Sequence, residues 1–553
     1  MRNRFRIAHL SIVSACVSFS VASARADDAP VREVPERSPA PAGSATEVDA
    51  TSPLDASLVL AAPEPTVAAS MLGHVYLAFG ARDARTGEPD PLGVSFEFAA
   101  TTSGASAASV VWNGLTGGFP MVLRQYPNWQ VANRYRVREG RDLWIFPLRL
   151  SRDQRVLLGA TLADARTASR DYLFVSNNCA TEMARAFDAV LPRDPDSDHS
   201  LTAGIVSPAS LVSALVDARV TSGPAAFLPS STRAFDVAMR TLSPRDRESV
   251  NRKLESAGED GSEEGETAFA LCAALDAGLR VREQAGDPEV RLAAARLARK
   301  LSGSCVAHSG SNGDLPSGIG TTTTIDPSRA HGPARVEVGA LWPFDAESDA
   351  AVVVSARAGL HELGEPRISD YDYVGASYFD ASAAIGANGR TRLLAATAVR
   401  LEQLAFGPGS TFGTASRVTV AFDNVGETGA AVLPAGTAGV GAAFGFASRT
   451  GGHTGIETVG YALAAGAAGV HVEDGRSAGQ VAPVVGVLAR FFDLLTLRTE
   501  LVGVPKLRAP ALASPSISVH SAVRVSQRFG FLVDARLRDG SSSVGASTVF
   551  WFP

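Results

Sequence analysis

From Ala334 to the C-terminus the sequence adopts a period of two, and this alternation constrains the fold more than any other feature. Across Ser516–Ser526, Ile517, Val519, Val523 and Val525 alternate with Ser518, His520, Arg524 and Ser526. Across Phe529–Asp539 the set Phe529, Phe531, Val533, Ala535 and Leu537 alternates with Asp534, Arg536 and Arg538, and in Arg392–Glu402 Leu393, Ala395, Thr397, Val399 and Leu401 oppose Arg392, Arg400 and Glu402. A two-residue period belongs to strands with unlike faces. About twelve such segments of roughly ten residues are present, close to what a tilted strand needs to cross a bilayer core. A soluble β-sandwich would hide the apolar face in its own core; an outer-membrane barrel would turn it to lipid. Strand length, an export leader and the ending Val549-Phe550-Trp551-Phe552-Pro553 favour the barrel, although Pro553 stands where such barrels usually end in Phe. The expectation for 334–553 is therefore an antiparallel barrel of about twelve strands in contact with outer-membrane lipid.

The other end of the chain carries an address. Arg2, Arg4 and Arg6 precede an apolar run from Ile7 to Ala22, and Ala24-Arg25-Ala26 has the small-x-small form of a cleavage site, so 1–26 reads as a signal peptide. Val13-Ser14-Ala15-Cys16 offers the alternative of a lipidated Cys16. Residues 27–56, rich in Pro, Ala, Ser and acids without a periodic apolar face, read as a disordered tether. The formal charge is -6 and no Lys/Arg run could neutralise a phosphate backbone, which argues against nucleic acid as a partner. Charged residues make up 20% of the chain, somewhat below the usual share of soluble proteins, in keeping with a surface that does not all face water.

Between these ends the pattern changes twice. Residues 57–228 mix short strands with helices after Ser151 and after Asn178, an α+β unit. Residues 229–306 read as a small helical connector, with Ser243-Pro244 and Asp287-Pro288 as helix starts. Residues 307–333 are a linker by composition. Without Cys16 the cysteines are Cys179, Cys272 and Cys305; a helical hairpin brings Cys272 to Cys305 as a disulfide and leaves Cys179 free.

Cys179 is also the residue with chemical promise. Asn178 is a good N-cap, Met183, Phe187 and Val190 form an apolar helix face, and Cys179 at the first helical position meets the positive end of the dipole, which favours thiolate. A base is available in His74, on a strand that shares a face with Leu72 and Tyr76. In Val94–Phe98 the set Val94, Phe96 and Phe98 opposes Ser95 and Glu97, so Glu97 could orient the imidazole. The plainer readings are a structural strand histidine, a merely buried cysteine and a surface glutamate. Trp112–Phe119, with Gly114, Gly117 and Gly118, reads as a loop, either plain or touching substrate through Trp112 and Gly117. His199, among Asp194, Asp196 and Asp198, reads as solvated.

The run from about Ser57 to Val216 resembles the bacterial family of the Lnb N-terminal periplasmic domain, through Gly73-His74, Phe96-Glu97-Phe98, Arg141-Asp142-Leu143-Trp144, the Asn178-Cys179 helix start and Ser207-Pro208-Ala209-Ser210-Leu211. That family is similar to circularly permuted papain-like thiol enzymes, related to NlpC-type peptidases and lecithin:retinol acyltransferase, in which a His-bearing strand precedes a Cys-bearing helix. The resemblance implies a papain-like fold for 57–228, with Cys179 as nucleophile and His74 as base. The third position stays open between Glu97, Asp142 and Ser95, and Arg141 with Asp142 also reads as a structural ion pair.

No cofactor is implied. Gly407-Pro-Gly409 and Gly439-Val-Gly441 lack the spacing of a dinucleotide fingerprint, and no phosphate loop ending in Gly-Lys-Ser/Thr occurs. His361-Glu362 lacks the second His of a zinc helix, and the other histidines are assigned no metal. The expected protein is a periplasmic cysteine hydrolase or acyltransferase on an outer-membrane barrel, with Asn178 and the helix-start amides binding substrate. Its substrates would be peptidoglycan peptides, lipid acyl chains or acylated proteins. The rivals are a non-enzymatic envelope-binding module and a barrel transporter with an accessory domain.

Overall fold

A computed structural model describes most of residues 55–255 and 326–552. The leader, nearly all of the tether, the later part of the connector with Cys272 and Cys305, and His199 lie outside the described residues.

The N-terminal unit is a seven-stranded antiparallel sheet in the order β6-β4-β3-β2-β1-β5-β7. Its strands are β1 (Ala56–Ala61), β2 (His74–Phe79), β3 (Val94–Ala100), β4 (Phe119–Pro127), β5 (Leu143–Pro147), β6 (Arg170–Tyr172) and β7 (Ala226–Leu228). The helices are α1 (Ala107–Thr116), α2 (Asn128–Asn133), α3 (Arg152–Ala165), α4 (Cys179–Val190), α5 (Pro208–Asp217), α6 (Ser231–Thr241) and α7 (Pro244–Glu255). Every residue of β1 is buried because both sheet faces are covered. Leu58 and Leu60 enter a core with Val75 and Leu77 of β2 and with Leu158, Met183, Phe187 and Leu211 of α3, α4 and α5. Val59 and Ala61 enter a second core with Tyr76 and Ala78 of β2, Val131 of α2 and Tyr135 of the π-helical turn Arg134–Arg138 that follows. Successive residues of a strand point to opposite faces, so β2 sends Val75 and Leu77 one way and Tyr76 and Ala78 the other.

The tract around Trp112 is a correction. Ala107–Thr116 is helical, and only Gly117, at φ +83°, and Gly118 make the turn into β4. Gly114 invited a loop reading for another reason: a Cβ there would fall 2.3 Å from the Phe174 ring, so close packing excludes a side chain.

Residues 334–552 form a closed antiparallel barrel of twelve strands, β8 (Ala334–Pro343) to β19 (Ser543–Phe552). The first and last strands pair from Ala334↔Phe552 to Pro343↔Ser543. Val338, Val352, Val354, Val485, Val487, Phe531 and Val533 are exposed on the outside, while Arg335, Glu337, Arg357, Glu402 and Arg490 are buried inside. Apolar out and charged in is the arrangement of a barrel whose outer solvent is lipid. The alternation read across Arg392–Glu402 is interrupted by a register shift between Thr397 and Val399. Among the described residues no helix is long and apolar enough to cross a membrane.

The lumen is not uniformly polar. After β9 (Ala351–Ala358) the chain turns into the barrel, where His361 exchanges backbone hydrogen bonds with Ala376 of β10 (Val374–Gly386) at 3.0 and 2.7 Å. Leu363 packs with the lumen-facing Leu404, Val459, Tyr461, Val484 and Leu488. Glu365 receives Arg335 and Arg357, each at 2.9 Å. Residues 361–365 thus plug the rim at which β8 begins, β9 ends and the C-terminus lies.

The same rim carries the N-terminal unit. The carbonyl of Ser328, in the turn Pro327–Arg329, accepts from Ser213 Oγ of α5 at 2.9 Å and from Gln527 Nε2 of the last described barrel turn at that rim at 3.3 Å. Pro327, Ser328 and His331 are buried, so this end of the stretch read as linker is packed.

Candidate functional site

Two clusters deserve chemical attention, and the sheet lies between them. The first is built on Cys179. Asn178 caps α4 as its sequence position predicts: its Oδ1 accepts from the amides of Ala180 at 2.9 Å and Thr181 at 3.0 Å, and its Nδ2 donates to the carbonyls of Phe174 and Val206, both at 2.9 Å. The side chain is fully used in structure. It also occupies the amides of Ala180 and Thr181, among the helix-start donors expected to bind substrate.

Cys179 is free and buried. The amides of Val75 and Ala180 and the hydroxyl of Tyr172 point at its sulfur, but burial outweighs them and pushes the thiol up to about 11. Around it lies a mostly apolar pocket formed by Gly73, Tyr172, Phe174, Ile205, Val206 and Pro208, closed from the other side by Ala358, Gly359 and Tyr378 of the barrel. Its free volume is about 20 Å3, room for about one water. The pocket is therefore shared between the two units and too narrow to admit more than a water.

The second cluster surrounds His74. Ser95 and Glu97 share a face of β3 and Phe96 and Phe98 take the other, as read from the alternation. His74 Nε2 lies 3.7 Å from Glu97 Oε2. Glu97 also pairs with Arg134 and accepts from the Tyr135 hydroxyl at 3.0 Å. Burial alone would raise the Glu97 carboxyl, and Arg134, His74 and Tyr135 together hold it below the usual carboxylate range. His74 is lowered to about 4 by burial, against the pull of Glu97. Its ring lies 5.6 Å from that of Tyr135, and its buried Nε2 has no hydrogen-bond partner.

The structure thus brings His74 and Glu97 together, but not His74 and Cys179. Sulfur meets the backbone of Val75 in the first core, while the imidazole joins Tyr76 and Tyr135 on the opposite face of the same strand. The sequence could not reveal this, because helix placement decides which face of β2 the cysteine meets. The remaining candidates have structural partners. Asp142 accepts from the Ser230 amide and from Arg233 Nε, each at 2.7 Å. Arg141 donates to the carbonyls of Ala61 and Ala62 at 2.9 and 2.6 Å and pairs with Glu139, so Arg141 and Asp142 are not each other's partners. Ser95 donates to Asn128 at 2.7 Å. Gly117 sits in the turn after α1, and Trp112 lies in α1 itself.

The sequence reading missed the barrel's contribution. Ala358, Gly359 and Tyr378 lie far from Cys179 in sequence, and only barrel closure and docking bring them to the thiol.

No curated protein matches the chain. Among solved structures, a mutant of Rh. blastica porin is 9% identical, over 40% of this chain and 99% of that one, with a TM-score of 0.17. OmpT with loop L8 deleted, an outer membrane protein of Vibrio cholerae, is 9% identical over 40% of this chain and 97% of its own, also at 0.17. Salmonella typhi OmpF in complex with daunomycin is 11% identical over 40% and 96%, again at 0.17. Residues 47–217 match the family described as the Lnb N-terminal periplasmic domain, and with the closed, lipid-facing barrel behind it the chain is an outer-membrane protein whose N-terminal domain lies in the periplasm.

Proposed function

We propose that the protein is an outer-membrane-anchored thiol hydrolase or acyltransferase acting on acyl groups of the cell envelope, described here in a closed resting state. The observation that carries this reading is the apolar pocket in which Cys179, at the start of α4, faces residues of the barrel wall. Such a lining suits a lipid acyl chain or an acylated protein better than a peptidoglycan peptide, whose polar groups would be left unpaired there. In the reaction the Cys179 thiol gives its proton to a base, sulfur attacks the acyl carbonyl, and the leaving alcohol or amine takes a proton as the thioester forms. Water, or a second alcohol or amine, then releases the acyl group and restores the thiol.

His74 serves as the base once the pocket opens and its ring reaches the thiol face. It is neutral through burial and has an unpartnered Nε2. Gly73, at φ +79°, is the backbone joint immediately before it and also lines the pocket. The separation of His74 from Cys179 favours a second reading, a binding module with an inert thiol.

Mass spectrometry decides between them. Folded protein incubated with phospholipid vesicles and quenched in acid is expected to carry an acyl adduct on Cys179 that Cys179→Ala lacks. Release of free fatty acid undiminished in Cys179→Ala sinks the mechanism, and lipid retained without adduct or release selects the binding module. Iodoacetamide labelling supplies a check on the resting state: its pH midpoint is expected above the free-thiol value of about 8.5, towards about 11.

A further inference from the structure

His331, His361 and Glu365 meet at the barrel rim in a manner that neither the thiol site nor the ion network explains. His331 Nε2 lies 3.2 Å from His361 Nδ1 and 3.8 Å from Glu365 Oε2, and His361 Nδ1 lies 3.5 Å from the same oxygen. All three side chains are nearly inaccessible. Ligand atoms bound tetrahedrally to zinc at about 2.0–2.1 Å stand about 3.3 Å apart. The triangle therefore has the size of one face of a zinc coordination sphere.

The surrounding groups aim the donors. His331 Nδ1 lies 2.9 Å from the Gly332 carbonyl, to which it donates, and this leaves the Nε2 lone pair directed into the triangle. The Trp551 ring stacks on His331 at 5.0 Å. The His361 backbone is pinned to Ala376 in both directions. Glu365 Oε2 accepts the Glu362 amide at 2.8 Å, while Oε1 is held by Arg335 and Arg357 at 2.9 Å and by Trp551 Nε1 at 3.3 Å, so the carboxylate is fixed with one oxygen in the triangle. Without a cation, two imidazole nitrogens and a carboxylate oxygen converge with a single proton, on His361 Nδ1, to share between the His331 Nε2 lone pair and the anionic oxygen. The guanidinium groups would repel a metal ion, and Glu337, Glu362 and Asp380, which pair with Arg335, offset them.

We propose that His331, His361 and Glu365 bind one divalent transition-metal ion, zinc by its ligand chemistry, with a fourth position open to water. Two imidazoles and a carboxylate are a recognised zinc set, and softer or harder ions prefer thiolates or all-oxygen shells. The ion fastens the plug to the segment that enters β8. Gly359, which closes the thiol pocket, lies two residues before His361.

The test uses full-length mature protein without a polyhistidine tag, folded in detergent, stripped with chelator and carrying Cys179→Ser, Cys272→Ser and Cys305→Ser so that sulfur cannot supply a ligand. Titration with Zn2+ is expected to show one equivalent bound, and Co2+ to give the intense visible absorption of four-coordinate cobalt. His331→Ala and His361→Ala are each expected to weaken binding by more than the roughly 10- to 100-fold that loss of an outer-shell partner costs. Heat-modifiable gel mobility reports whether each variant barrel is folded. Where a variant does not fold, X-ray absorption of the zinc-loaded parent decides: two imidazole nitrogens support the site, and a shell without imidazole overturns it. Absence of stoichiometric binding in the parent, or unchanged affinity in either folded His variant, also overturns it. None of these readouts depends on acyl transfer.

Discussion

In strand β1 and in the barrel strands successive residues face opposite ways, yet the two solve opposite burial problems. In β1 both faces are covered, and successive residues enter two different cores. In the barrel one face is exposed and apolar, as at Val485, Val487, Phe531 and Val533, while the other buries Arg335, Arg357, Glu402 and Arg490. The difference teaches that alternation identifies strands without saying which face meets the core. Closure decides that: this closed barrel buries its charges against one another inside, and lipid takes the place of a core on the outside.

The comparison can be broken most forcefully from within. Arg335→Ala removes a guanidinium that pairs with Glu337, Glu362 and Glu365 and leaves the buried Glu337 carboxylate without its ion-pair partner. A loss of about 3–5 kcal/mol in barrel stability is expected, measured by urea unfolding in detergent, with the N-terminal domain much less affected. Next comes the outer face. Val533→Arg puts a charge where lipid is expected and should cost about 2–4 kcal/mol if the position is near the bilayer midplane; a neutral result in a lipid-refolding titration would contradict the lipid-facing assignment.

In the N-terminal domain the expected effects are smaller and depend on pH. His74 is lowered to about 4 from an unfolded value of 6.5, so the unfolded chain takes up the proton first as pH falls. Stability is fully present above pH 6.5, declines as pH falls towards 4 and is level below it, a loss of about 3 kcal/mol at most. Unfolding of the domain followed across this window should lose that slope in His74→Asn. Smallest is the helix cap: Asn178→Ala should cost about 1–2 kcal/mol and free the Ala180 and Thr181 amides, detected as faster hydrogen exchange there.

Much of the fold was legible because local patterns and tertiary demands agreed. Ser95 and Glu97 oppose Phe96 and Phe98 as read, Asn178 caps α4, Pro244 opens α7, and the apolar alternation from Ala334 onward became twelve strands. The strand ending in Phe550-Trp551-Phe552 turns Trp551 inward and both phenylalanines outward. What stayed illegible was decided by long-range packing. Helix α1 looked like a loop because Gly114 is required by Phe174, not by a turn. The plug has no periodicity to read, and its partners Arg335 and Arg357 sit on separate strands. Cys179 and His74 could be named as reactive residue types, but their placement on opposite sheet faces follows from how α4 docks.

The joint at Ser328 has a consequence for the thiol pocket. Its carbonyl is gripped from one side by α5 and from the other by Gln527, in the turn just before the last two strands. The wall that Gly359 and Tyr378 lend to the thiol pocket is therefore tied, through one carbonyl, to the turn that leads into the last two strands. Loosening the turn before β18 would then loosen the thiol pocket as well, so completing the barrel and completing the pocket are one structural event.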